Sequence, residues 1–164
     1  MPYSHEADPE NERRSRPRRR ALVVDGDVLS RIETRLLLEM YGYQVEEVSD
    51  GMEAIGLLDV DAPRLDLVVL DSDMPLLSGL ETLYSLRALQ PGLKGLLCFA
   101  KDQELRNDVL PPGVAYLRKP CTLHGLSEGL DQVLGVTRHM LDHGHLSGSH
   151  RVKLQGHRPH FPPR

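Results

Sequence analysis

The chain has 164 residues, with 24 acidic against 20 basic side chains and a formal net charge of −4. No apolar run approaches the roughly 18–20 residues needed to span a bilayer, and the amino-terminal stretch lacks the apolar segment of a secretory signal. Two cysteines, Cys98 and Cys121, cannot build a secreted disulfide framework, so the expected setting is a reducing cytoplasm with no membrane partner.

Charge is spread unevenly. Residues 1–20 carry 6 Arg against 4 acids, residues 21–136 carry 9 bases against 19 acids, and residues 137–164 carry 5 bases against 1 acid. An acidic body with short basic ends does not bind nucleic acid as a whole domain, and no direct DNA binding is expected.

In chain order, residues 1–20 hold almost no apolar side chains and are predicted to be a disordered, Arg-rich arm. Arg13–Arg20 could touch polyanions by charge alone, but a solvated arm is the favoured reading. Apolar runs at Ala21–Val24, Leu67–Leu70 and Gly95–Phe99, with weaker ones at Tyr43–Val48 and Val114–Leu117, predict five strands. They are continuous rather than alternating, which implies burial on both faces and a parallel sheet. Val28, Ile32, Leu36 and Met40 recur at helical spacing. Leu80 and Leu83 mark a further helix that ends at Pro91-Gly92, and Leu123, Leu126, Leu130, Val133 and Leu134 mark the last, with Thr122 as its N-cap. Strand–helix alternation over residues 21–136 predicts an α/β fold: a doubly wound, five-stranded parallel sheet with right-handed crossovers. Residues 137–164 are predicted to be a disordered tail holding six of the eight histidines, without the closed ligand set of a metal site.

Ligands of such sheets bind beyond the carboxyl ends of the strands. There the sequence places Asp25, Gly26 and Asp27 after strand 1, Asp71, Ser72 and Asp73 around the end of strand 3, and Lys119 after strand 5. Each alone reads as a turn residue. Together they converge, and two carboxylates about 4 Å apart at an effective dielectric of about 20 repel by about 4 kcal/mol. A hard cation such as Mg²⁺ relieves that repulsion, and a lysine nearby supplies a point charge for phosphate. Carboxylates, Mg²⁺ and Lys make a phosphoryl-transfer set with an Asp as acceptor.

Residues 21–135, about seven tenths of the chain, resemble the receiver domain of two-component response regulators. The matching stretches are VVDGD at 23–27, LVVLDSDMPLLSGLE at 67–81 and AYLRKP at 115–120. The resemblance implies the flavodoxin-like (βα)5 fold with strand order 2-1-3-4-5. It also implies Asp71 as phosphoacceptor, Lys119 as the phosphoryl contact, and a Mg²⁺ site formed by Asp25, Asp71 and the main-chain carbonyl of Asp73. Tyr116 matches the aromatic switch position. The implied partners are a histidine kinase or phosphotransfer protein and a downstream protein target. Two positions depart from the pattern. Gly26 stands where the family carries its second acid, the direct metal ligand, and Asp27, one residue on, is the candidate substitute. Phe99 stands where the family carries Thr or Ser, and it has no hydroxyl to offer a phosphoryl oxygen. Lys101–Leu110 leaves room for only a short fourth helix.

Three functions compete. One is a single-domain receiver signalling by protein contact, since the polar tail offers no output domain. The second is a pseudo-receiver acting as a phosphorylation-independent interaction module, which Gly26 and Phe99 favour. The third is a Mg²⁺-dependent phosphatase-like enzyme with Asp71 as nucleophile, weakened by the absence of a cap insertion. A flavodoxin-like cofactor binder is a fourth reading, and Asp25-Gly26-Asp27 argues strongly against it, because these acids would repel a phosphate in the first loop.

Overall fold

The structure, a computed structural model, describes residues 18–58, 62, 64–100 and 109–135. The elements in chain order are β1 (Arg20–Val24), α1 (Val28–Met40), β2 (Gln44–Val48), α2 (Gly51–Leu57), β3 (Leu67–Asp71), α3 (Gly79–Leu89), β4 (Lys94–Phe99), β5 (Val114–Arg118) and α4 (Leu123–Leu134). All strand pairs are parallel, and the sheet order is β2-β1-β3-β4-β5. Strand order and class are those expected. Residues 1–17 of the expected disordered arm and the whole His-rich tail lie outside the described residues, as does the short helix expected after β4, except for Val109 and Leu110. Arg20, assigned by charge to the arm, instead opens β1, where its guanidinium pairs with Glu46 and its backbone N–H donates to Asp66 at 2.8 Å.

Continuous apolar strands are explained by two cores, one on each face. Ala21 and Val23 of β1 enter the cluster with Leu38 of α1 and Leu126, Leu130 and Val133 of α4. Leu22 and Val24 enter the opposite cluster with Ala54 of α2 and Leu83 and Leu86 of α3. Each strand side chain thus meets a helix whichever way it points, which removes any pressure for polar alternation.

Each helix start has a side-chain cap for an otherwise orphaned N–H. Asp27 accepts from Ser30 N–H at 2.7 Å, Asp50 from Glu53 N–H at 2.8 Å, and Thr122 from Gly125 N–H at 3.1 Å. At α3, Ser78 and Glu81 form a reciprocal capping box. The Ser78 hydroxyl holds the Glu81 carboxyl below its usual range.

The apolar stripe that reveals α1 is not the face it buries. Val28, Leu36 and Met40 are 55%, 49% and 71% exposed, whereas Thr34 and Leu38 are buried against the sheet. Leu36 and Leu38 lie about 200° apart around the helix, so consecutive leucines supply both faces.

Candidate functional site

Strand register builds the site. Val24 of β1 pairs with Leu70 of β3, so Asp25 and Asp71 emerge side by side at the carboxyl edge. On the other side of β3, Asp71 pairs with Cys98, and Ser72 N–H donates to the Cys98 carbonyl at 2.7 Å. Lys119 follows the last residue of β5. Its N–H donates to the Phe99 carbonyl at 2.8 Å, and the Lys119–Pro120 peptide bond is cis.

The Lys119 ammonium reaches across to both acids. Its Nζ lies 2.7 Å from Asp25 Oδ2 and 2.9 Å from Asp71 Oδ2. Burial would lower the lysine's pKa, but the hydrogen bonds to Asp25 and Asp71 outweigh it and hold the group above its usual 10.5, fully charged. A cation between two carboxylates offsets the repulsion expected from their convergence.

Asp25 is 3% exposed and fully engaged. Its Oδ1 accepts from Asp27 N–H at 2.9 Å, and its Oδ2 also accepts from the Ser30 hydroxyl at 2.7 Å. The Arg31 guanidinium donates to its carbonyl. Ser30 and Arg31 were not anticipated from sequence. The available signal was their place in the first turn after the Asp27 cap, which brings both back over the end of β1. Asp71 is partly exposed, and its Oδ1 accepts from Asp73 N–H at 3.2 Å. This turn depends on Gly79: a Cβ there would lie 2.3 Å from the Asp71 carbonyl oxygen. Gly79 is therefore fixed by backbone approach to the Asp71 loop.

The structure brings Asp25, Asp71 and Lys119 together and places Asp27 differently. Asp27 Oδ1 is occupied as the α1 cap rather than continuing β1 towards the pocket. At Gly26 a Cβ would meet only the Ser49 carbonyl, at 3.7 Å, so the position has room for a side chain. The Asp25 and Asp71 carboxylates converge on the Lys119 ammonium and set two hard oxygen donors side by side. These residues fit Mg²⁺, which takes one or two carboxylates and keeps several waters. No three His, Cys, Asp or Glu side chains cluster as a metal site among the described residues.

Phe99 ends β4 at the same edge and is 6% exposed. Its ring meets the Tyr116 ring edge-on, centroids 5.7 Å apart at 82°, and the Arg118 guanidinium lies 5.0 Å from its centroid. The substitution at position 99 thus replaces a small hydroxyl by an aromatic packed against the expected switch residue.

Comparison with known proteins agrees with this geometry. The family model for the response regulator receiver domain matches residues 21–131. A response regulator named MprA from Mycolicibacterium vanbaalenii is 42% identical over 109 residues, covering 65% of this chain and 46% of that protein. Its namesake from Mycobacterium avium is 38% identical over 121 residues, covering 73% of this chain and 52% of that protein. The chain therefore spans about half the length of the curated relatives it matches. Among solved structures, a CheY-like receiver domain protein from Methanospirillum hungatei is 29% identical with a TM-score of 0.61, covering 73% of this chain and 95% of that one. The receiver domain of the hybrid histidine kinase CckA is 28% identical with a TM-score of 0.58, covering 70% of this chain and 98% of that one. With the sheet order, the paired acids and the bridging lysine in place, the chain belongs to the response regulator receiver domain family of two-component signalling.

Proposed function

We propose that the protein accepts a phosphoryl group on Asp71 from a histidine kinase or phosphotransfer protein and passes the signal on by protein contact. The observation that carries this reading is the Lys119 ammonium held between Asp25 and Asp71. In the transfer, an Asp71 carboxylate oxygen attacks phosphorus, and the bond to the donor's imidazole nitrogen or acyl oxygen breaks with its electron pair. Lys119 is placed to move its hydrogen bond from Asp71 to a phosphoryl oxygen. Bound at Asp25, Asp71 and the Asp73 carbonyl, Mg²⁺ would supply charge neutralisation for the incoming phosphoryl oxygens. Exposed Val28 and Leu29, directly after the Asp27 cap, and Leu76 in the loop after β3 offer apolar contact for a partner near the acids.

A second reading rests on Gly26 and Phe99. One metal-ligating acid and the hydroxyl that senses phosphate are both replaced, which suits a phosphorylation-independent interaction module. One experiment separates the two readings. The protein is incubated with Mg²⁺ and acetyl phosphate and followed by intact mass, beside Asp71→Asn and an EDTA control. The first reading expects the mass of one phosphoryl group, absent in both controls. No gain, together with no Mg²⁺ binding by calorimetry, overturns it in favour of the second.

A further inference from the structure

The two cysteines of the chain meet beside the site, on the α1 and α4 face of the sheet. Cys98 on β4 and Cys121, just before the Thr122 cap of α4, place their Sγ atoms 3.8 Å apart. They are 23 positions apart in sequence, so the contact is made by the fold. Cys98 is 2% exposed, whereas Cys121 is only partly buried. Both pack with the same apolar cluster. Within the contact, the hydrogen bond shared with Cys98 lowers the Cys121 thiol to about 7, against burial and with help from the Thr34 hydroxyl. A partly buried sulfur thus lies against a fully buried one in direct contact, which is the arrangement of an attacking thiol with a resolving thiol.

We infer that Cys98 and Cys121 form a hydroperoxide-responsive dithiol that closes to an intramolecular disulfide. The Cys121 thiolate attacks one oxygen of the hydroperoxide. The O–O bond breaks, and water or an alcohol leaves with the electron pair and a proton, giving Cys121 sulfenic acid. Cys98 sulfur then attacks the sulfenic sulfur, the S–O bond breaks, and the hydroxyl leaves as water with the Cys98 proton. Two thiols are oxidised by two electrons and one hydroperoxide is reduced. The sulfurs need only close from 3.8 Å to about 2 Å. The bridge would join β4, next to Phe99, to the residue two positions after Lys119.

The test uses the full chain, reduced and then treated with one equivalent of hydrogen peroxide under native conditions. Intact mass and free-thiol titration are the readouts, and neither depends on phosphorylation. The expected result is a monomer that loses two hydrogens and both thiols, reversed by dithiothreitol. Bridge formation should run at least about tenfold faster than in the chain unfolded in urea, because the fold supplies the proximity. Since the sequence has two cysteines, the wild-type mass identifies the bridge without a variant. Cys98→Ser should trap oxygen on Cys121, and Cys121→Ser should leave Cys98 unreacted. Oxygen addition without bridge formation in the wild type, disulfide-linked dimers, or no rate advantage for the folded state would overturn the inference.

Discussion

At position 26 the family's direct metal ligand is a glycine, yet the backbone there has no need of one. Its φ is not positive, and a Cβ would meet only the Ser49 carbonyl at ordinary contact distance. Gly26→Asp should therefore be accommodated sterically. It adds a third carboxylate beside Asp25 and Asp71, so the variant should melt lower than wild type in EDTA. It should bind Mg²⁺ at least about tenfold more tightly by calorimetry, since affinity follows the number of charged ligands. Unchanged affinity would show that position 26 does not face the metal. Leu76 poses the opposite case: a φ of 70° and 91% exposure put a branched side chain where backbone sterics oppose it and nothing repays the cost. Leu76→Asn should stabilise the protein by about 1 kcal/mol in urea unfolding.

Among the elements, α3 carries a correctable defect. Thr82 is fully buried between α2 and α3, and its Oγ1 has no hydrogen-bond partner among the described residues. The same oxygen closes the space over Gly51, where a Cβ would lie 2.2 Å from it. Thr82→Val keeps the shape and removes the unpaired hydroxyl, so chemical denaturation should show a gain of about 1 kcal/mol. A loss would mean that the hydroxyl is paired through water. Legibility in the sequence also differed by element. β1, β3 and β4 stood out because two-sided burial demands unbroken apolar runs. The start of α4 was marked by Thr122, whose cap is observed. α1 was legible as a helix but not as a face, because Leu36, Leu37 and Leu38 serve both sides and burial is decided by the sheet. α2, with seven residues and two glycines, carries too little periodicity to announce itself. In the site, Asp25, Asp71 and Lys119 were readable from strand ends. The Asp27 cap, the Ser30 and Arg31 contacts and the cysteine pair depend on turn geometry or on approach across the sheet, which spacing does not encode.

Over the whole molecule, Lys119 ties together segments that the chain order keeps apart. Asp25 follows β1, Asp71 ends β3 and Lys119 follows β5, so one ammonium joins strands spanning four of the five positions in the sheet. Replacing the lysine removes two charge-assisted hydrogen bonds and leaves Asp25 and Asp71 facing each other. Lys119→Met should therefore lose about 1–3 kcal/mol in urea unfolding in EDTA. Adding Asp71→Asn removes one of the opposed charges and should return part of that loss, giving a double-mutant coupling of at least about 0.5 kcal/mol. Mg²⁺ should restore stability to Lys119→Met more than to the double variant, because only the former keeps both carboxylates for the ion. Additive effects of the two substitutions would mean that the lysine acts through packing of its aliphatic stem, and that the three strand ends are not coupled by charge.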